Sequence, residues 1–186
     1  MIGIGVVGYG YWGPNLVRNF MDVAGSKVSV VCDLSGERLA QALRRYPAIK
    51  PTDDYRELLA DPAVEAVAIA TPVSTHFKLA LQALKAGKHV LVEKPLTLNS
   101  EQALRLINEA TKRRLVLMVD HTFVYTGAVR TIRDLVSRGA LGEIYYYDSV
   151  RVNLGLFQHD VNVLWDLAVH DLAIMDFVLG KQPCAV

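Results

Sequence analysis

Short apolar runs alternate with stretches of helical periodicity along most of the chain. The apolar runs are rich in β-branched residues and predict strands at residues 2–7, 27–32, 64–70, 88–92 and 115–119. Apolar positions recurring every three or four residues predict helices at residues 15–21, 35–46, 54–60, 74–86 and 99–113. Strands that are apolar throughout, each followed by a helix, are typical of a parallel sheet covered on both faces. The pattern therefore predicts an α/β fold with a doubly wound parallel sheet.

The composition of the chain changes near His121, after the last of these strands and helices. The remaining segment predicts a helix over residues 127–138, a strand rich in Tyr and Val over Glu143–Arg151, and a helix over Val163–Leu179. We therefore predict one domain at residues 1–120 and the beginning of a second, α+β domain at residues 121–186.

Composition and charge narrow the class of protein. Of 186 residues, 52% are apolar and 21% charged, which provides a buried core and argues against disorder. The net charge of +1 offers no general attraction to nucleic acid or an anionic membrane. Cys32 and Cys184 are too far apart in sequence to indicate a disulfide framework. With no signal-peptide pattern and no apolar run approaching roughly 18 residues, we expect a cytoplasmic protein without nucleic-acid or membrane partners.

A glycine-rich turn follows the first predicted strand and opens the first predicted helix. Its glycines, Gly8-x-Gly10-x-x-Gly13, allow a tight turn, a close approach of backbone to a pyrophosphate and close packing of helix on strand. Asp33 ends the second predicted strand, where a carboxylate accepts hydrogen bonds from ribose hydroxyls and repels a 2′-phosphate. The pattern predicts a dinucleotide site of the Rossmann type that takes NAD rather than NADP. Arg38 either lies near the adenine, pairs with a phosphate, or is a solvated helix residue.

Two further strand ends carry candidate residues. Thr71 and Pro72 follow the predicted strand at residues 64–70, and His76 lies in the next helix, so they either face the ligand crevice or serve as a helix cap and a surface histidine. Glu93-Lys94-Pro95 follows the predicted strand at residues 88–92. A lysine there either holds a substrate hydroxyl beside a nicotinamide or is a solvated turn residue.

The last predicted helix carries an acid and a histidine four positions apart. Asp166 and His170 share one face of an α-helix, and in apolar surroundings such a pair keeps an imidazole suited to act as a general base. An ion pair that only packs the helix is an alternative. A metal site formed by His159, Asp160 and His170 is another, although it lacks a cysteine or closely spaced histidines. We predict no metal.

In this order and at these strand ends, the residues resemble the Gfo/Idh/MocA oxidoreductases, which include glucose-fructose oxidoreductase and inositol 2-dehydrogenase. The resemblance implies that Tyr11 and Trp12 offer backbone N–H groups to the pyrophosphate and that Arg38 flanks the adenine. It further implies that Lys94 bonds the substrate hydroxyl. The implied cofactor-binding residues are Gly8, Gly10, Tyr11, Trp12, Gly13, Asp33, Arg38, Thr71, Pro72, His76, Glu93 and Lys94. The implied catalytic residues are Lys94, Asp166, which helps to place the reacting carbon, and His170, the acid/base.

The resemblance implies an NAD-dependent dehydrogenase acting on a hydroxyl of a sugar, nucleotide-sugar or cyclitol. A non-catalytic dinucleotide-binding module or degenerate subunit is the alternative. The predicted strand over Glu143–Arg151 has an unpaired edge that favours pairing with another chain, so we expect a homo-oligomer. The family often has an Asn-x-Arg-Phe-like stretch where this chain has residues 122–127, so no role is carried over for that arginine. The family's second domain is a large, mostly antiparallel sheet for substrate binding and oligomerisation, longer than the segment found here. We therefore expect a truncated member whose nucleotide-binding domain folds intact while catalysis is weak or absent.

Overall fold

The computed structural model describes residues 1–152 and 161–185. Within the chain, Met1–Asp120 and His121–Val186 form two compact units, which are described separately below. The assignment of the first unit as a nucleotide-binding domain and of the second as the beginning of a substrate domain stays a prediction.

The first unit is built on a sheet of six parallel strands in the order β3-β2-β1-β4-β5-β6. The strands are β1 (Ile2–Val7), β2 (Ser26–Cys32), β3 (Lys50–Thr52), β4 (Ala66–Ile69), β5 (His89–Glu93) and β6 (Leu117–Asp120). This order reverses between β1 and β4, which is the arrangement of a Rossmann fold and the place where such sheets bind ligands. The predicted doubly wound parallel sheet is confirmed.

Five helices connect these strands. They are α1 (Gly13–Asp22), α2 (Gly36–Arg45), α3 (Tyr55–Ala60), α4 (Val73–Lys85) and α5 (Ser100–Arg113). Local side chains fix where several of them begin: the Ser35 hydroxyl accepts a hydrogen bond from the first turn of α2, and the Asn99 side chain accepts one from the first turn of α5. These caps place the beginnings of the helices close to the carboxyl ends of the preceding strands.

The core of this unit has two apolar clusters. Neighbouring residues of a strand point to opposite faces, and Val6 and Val7 accordingly join different clusters. One cluster includes Leu16 and Val17 of α1, and the other includes Leu106 of α5. Val6 and Val17 are completely buried, and burial of such a side chain contributes about 1.5–3 kcal/mol. Both faces of the sheet are therefore covered, as its uniformly apolar strands predict.

The edge strand β3 was not predicted from the sequence. Pro47 and Pro51 lie between the helices predicted at residues 35–46 and 54–60, where no apolar run indicates a strand, yet Lys50–Thr52 pairs with β2. A proline cannot donate to a ladder of hydrogen bonds, but an edge strand leaves one side unpaired and tolerates Pro51.

The second unit is helical in its described parts. It contains a 3₁₀ turn (Thr122–Tyr125), α6 (Gly127–Ser137), a π-helical turn (Leu164–Ala168) and α7 (Val169–Leu179). The predicted strand over Glu143–Arg151 is wrong, because residues 143–152 form no strand. A high content of Tyr and Val favours a strand, but a strand also needs a neighbour for its N–H and C=O groups. In neither unit does a described helix combine the length and the apolar character that crossing a bilayer requires.

Candidate functional site

The glycine turn lies at the point where the strand order reverses. Gly8 has a φ of +91°, and a Cβ atom there would lie 2.5 Å from the carbonyl oxygen of Ala70. A Cβ atom on Gly13 would lie 2.0 Å from the carbonyl oxygen of Gly8. At Gly10, by contrast, the nearest atom is a guanidinium nitrogen of Arg38 at 3.7 Å, which is ordinary contact. The turn itself thus requires the outer two glycines, while the middle one leaves open space above the backbone.

The beginning of α1 adjoins this space and is suited to an anion. The first N–H groups of a helix have no partner within the helix and carry a partial positive charge. The first turn of α1 contains no acidic residue, so no side chain of that turn neutralises this charge. Tyr11 and Trp12 precede the helix with exposed rings that meet edge to face, 5.3 Å between centroids. The turn fits the pyrophosphate of a dinucleotide, with the backbone of residues 11–13 against it.

Asp33 is held in place by the backbone. It is 7% exposed, and its two carboxylate oxygens accept hydrogen bonds from the N–H of Tyr9 at 2.6 Å and the N–H of Ser35 at 2.8 Å. A guanidinium nitrogen of Arg38 lies 3.6 Å from the same carboxylate. Because an ionised carboxylate has about four acceptor positions, Asp33 keeps capacity for hydroxyl donors. Arg38 thus forms an ion pair with Asp33 and lies beside the glycine turn.

A cleft of about 580 Å³ opens next to Asp33. Leu34 is 92% exposed in its wall and provides an apolar surface beside the charged Arg38. An apolar surface with a few polar groups suits a heteroaromatic ring and its sugar. The cleft is lined by Asp33, Leu34, Ser35, Glu37, Arg38 and Gln41.

The predicted residues after β4 are tied into a local network. The hydroxyls of Thr71 and Thr75 lie 2.7 Å apart, and Pro72 caps α4. His76 is 1% exposed, and its ring nitrogens lie 2.8 Å from the carbonyl oxygen of Thr71 and 2.9 Å from that of Pro95. The structure therefore places His76 inside the unit, between the segments that follow β4 and β5, and not on the surface.

The ends of β5 and β6 bring two carboxyl groups together. Glu93 and Asp120 are register partners, and their side chains hydrogen-bond to each other. Burial, followed by the charge and the hydrogen bond of Asp120, raises the pKa of Glu93 to about 7, whereas Lys94 opposes the shift. The Lys94–Pro95 peptide is cis. Sequence reasoning missed Asp120, for which the only signal is its place at the end of a strand.

In the second unit, Asp166 and His170 do not lie on a continuous α-helix. Asp166 lies in the π-helical turn, and His170 lies in the first turn of α7. A π turn closes i→i+5 hydrogen bonds in place of i→i+4 bonds, so the continuous α-helix predicted over Val163–Leu179 is interrupted between the two residues. His170 is 8% exposed, and the Phe123 ring meets it edge to face with 4.8 Å between centroids.

Asp171, next to His170, is a second residue that sequence reasoning missed. Its carboxylate accepts hydrogen bonds from the Ser149 hydroxyl at 2.7 Å and from Nε of Arg151 at 2.8 Å. The bond from Arg151 holds the pKa of Asp171 below its usual value. The Arg151 guanidinium also lies over Phe123, 5.0 Å from its centroid. Side chains from three segments thus meet around the first turn of α7.

The alternative metal site is not supported by the described residues. His159 and Asp160 lie outside the part of the chain that the structure describes. Within residues 1–152 and 161–185, no three His, Cys, Asp or Glu side chains are grouped so that they could hold a metal ion.

Comparison with known proteins adds a family to this geometry. Residues 2–121 match the profile of the Gfo/Idh/MocA oxidoreductase family, described as having an NAD-binding Rossmann fold. The chain is 34% identical to a UDP-N-acetylglucosamine 3-dehydrogenase from Acidithiobacillus ferrooxidans, covering 98% of this chain and 56% of the relative. It is 29% identical to an NAD(+)-dependent scyllo-inositol 2-dehydrogenase from Bacillus subtilis, covering 100% and 55%.

A solved structure shares both the fold and part of the sequence. It is that of a 3-ketoreductase variant from Actinomadura kijaniata in complex with TDP-benzene and NADP, with a TM-score of 0.71 and 31% identity. The match covers 77% of this chain and 44% of that one. The chain thus spans about half the length of the relatives it matches.

Proposed function

This chain belongs to the Gfo/Idh/MocA family of oxidoreductases, and on that premise we propose that it binds NAD for hydride exchange with a hydroxyl-bearing carbon of a sugar, nucleotide-sugar or cyclitol. The nicotinamide cofactor supplies the hydride chemistry, and the protein binds and orients it. The observation that carries the proposal is the contrast within the turn after β1. Gly8 and Gly13 are closed off by backbone atoms, whereas Gly10 faces open space beside the beginning of α1.

Asp33 supports a preference for NAD. The backbone fixes its carboxylate at the end of β2, where the ribose hydroxyls of a bound dinucleotide are expected. A fixed negative charge there repels a 2′-phosphate, and the nearby guanidinium of Arg38 already pairs with the carboxylate. The NADP-bound relative shows that the family accepts both cofactors, so the preference is argued from this carboxylate alone.

The proposed catalytic residues are Lys94, Asp166 and His170. In the proposed reaction Lys94 donates a hydrogen bond to the substrate hydroxyl and His170 accepts its proton as the hydride leaves the same carbon. His170 is buried against Phe123, which restricts the orientation of its ring. We further propose that the protein acts in the cytoplasm as a homo-oligomer. The unpaired cysteines suit a reducing compartment, and the exposed Tyr145 and Tyr146 suit self-association.

Titration of the purified chain with NADH, followed by nucleotide fluorescence, tests the cofactor site. Saturable binding that is tighter for NADH than for NADPH is expected, and fluorescence that never saturates would refute the site. His170→Ala then separates the two candidate functions. An enzyme loses turnover of sugar or cyclitol substrates and keeps NADH binding, whereas a binding module shows no turnover before or after the change.

A further inference from the structure

Both ring nitrogens of His76 lie within hydrogen-bond distance of backbone carbonyl oxygens. The contacts are 2.8 Å to Thr71 and 2.9 Å to Pro95, and the side chain is 1% exposed. Thr71 follows β4 and Pro95 follows β5, and these two strands pair directly. The imidazole thus lies between two strand ends that form one edge of the proposed site.

A carbonyl oxygen only accepts hydrogen bonds, so each of these contacts requires an N–H on the ring. A neutral imidazole has one N–H and one bare nitrogen, whereas an imidazolium has two N–H groups. In the neutral form a bare nitrogen would face a carbonyl lone pair at hydrogen-bond distance, out of reach of water, which is costly. In the protonated form both contacts become charge-assisted hydrogen bonds, which are stronger than neutral ones.

We propose that His76 is an imidazolium that donates to both carbonyl groups and so acts as a positioning residue for the segment carrying Lys94. The proposal rests on the proposed function, because that function assigns Lys94 to the nicotinamide end of the cofactor. His76 itself has no need to touch the cofactor. It fixes the distance between the chain after β4 and the chain after β5.

Ionisable side chains on the surrounding elements bear on this charge. The positively charged ones are Lys78 on α4, Lys94 after β5, and Arg105 on α5, whose guanidinium lies over Phe77 at 5.0 Å. The acidic ones are Glu93 and Asp120, at the ends of β5 and β6. Burial disfavours a charged imidazole, and negative charge on this hydrogen-bonded carboxyl pair, at the ends of the strands next to the segment that His76 contacts, acts in the opposite direction.

The contacts of His76 with the segments after β4 and β5 are expected to affect only the nicotinamide half of the cofactor. The residues proposed for the adenine half, Gly10 and Asp33, follow β1 and β2, whereas the two carbonyl groups at His76 follow β4 and β5. Replacement of His76 therefore loosens the segment after β5 while leaving the adenine side in place. His76→Gln is expected to weaken NADH binding by at least about tenfold and to leave the affinity for ADP-ribose, which lacks the nicotinamide, within a factor of about two.

The protonation state can be measured directly in the wild-type protein by nitrogen-15 NMR. Two ring N–H signals that vanish in His76→Gln and persist at mildly alkaline pH are expected, because the ring is shielded from exchange with water. A single ring N–H signal would overturn the proposal. His76→Gln serves here only to assign the ring signals of His76. If this variant does not fold, the signals are assigned instead by selective labelling, through the neighbouring carbonyl carbons.

The binding test uses His89→Gln as the matched control. His89 begins β5, at the opposite end of the strand from Pro95, and its Nδ1 accepts a hydrogen bond from the N–H of Val116 at 2.9 Å. We expect this variant to bind NADH and ADP-ribose as the wild type does. Equal loss of both ligands in His76→Gln, or loss of neither, contradicts the positioning role. A wild-type chain that binds neither ligand instead contradicts the proposed function.

Discussion

Substitution of alanine for Gly10 or Gly13 is expected to separate cofactor binding from folding. At Gly13 the added methyl group would lie 2.0 Å from the carbonyl oxygen of Gly8. To restore ordinary contact near 3.4 Å, α1 and the turn would have to separate by about 1.4 Å. Overpacking of this kind costs about 1–3 kcal/mol or more. At Gly10 the nearest atom is 3.7 Å away at the end of a flexible arginine, so the free energy of unfolding should change by less than about 0.5 kcal/mol.

The Gly10→Ala variant is expected to lose affinity for NADH although its stability hardly changes. Its methyl group occupies the open space in which the pyrophosphate is proposed to lie, so NADH titration should show a loss of affinity in a protein that unfolds normally in urea. Gly127→Ala is the matched control, because nothing lies within 4 Å of that position at the beginning of α6. If Gly10→Ala binds NADH like the wild type, the pyrophosphate does not rest on this turn. If Gly13→Ala unfolds at the wild-type urea concentration, the close approach to Gly8 is incorrect.

Three further predictions concern carboxyl groups. Asp33→Ala removes the acceptor of two backbone N–H groups and should lower the free energy of unfolding by about 1–3 kcal/mol and weaken NADH binding, measured by urea unfolding and fluorescence titration. Because the folded protein raises the pKa of Glu93 from 4.5 to about 7, the folded state binds more protons in that range and stability should fall as pH rises through it. Asp120→Asn should make that fall shallower in urea unfolding across the same range. Arg151→Met removes the bond that lowers the pKa of Asp171, so it should cost up to about 1 kcal/mol at neutral pH and less as the pH falls through the acid range, measured in the same way.

Features of the fold that depend on local sequence could be predicted. Five of the six strands are apolar runs, and the capping residues at 35 and 99 are visible in the sequence. Strand β3 could not be predicted because its residues are lysine, proline and threonine, and pairing with β2 alone makes them a strand. The Glu143–Arg151 segment shows the opposite error, since suitable side chains do not form a strand without a pairing neighbour.

The residues of the site also fall into two groups, those that the local sequence predicts and those that depend on distant segments. Gly8 and Gly13 were identified because a turn that leads directly from strand to helix requires them, and the structure shows the backbone contacts responsible. The buried ring of His76 has a hydrogen-bond partner in the carbonyl group of Pro95, which follows the next strand, β5. The partnership of Glu93 and Asp120 depends on the register of β5 and β6. Neither of these two is visible in a local motif.

The two ends of the proposed cofactor site should therefore respond differently to pH. On the adenine side, Asp33 is held by two backbone N–H groups and by Arg38. On the nicotinamide side, β5 ends at Glu93, whose pKa is about 7. The affinity for ADP-ribose should thus stay nearly constant between about pH 6 and pH 8, while the affinity for NADH changes over the same range as Glu93 titrates. An equal change for both ligands would mean that the titrating groups do not face the nicotinamide half.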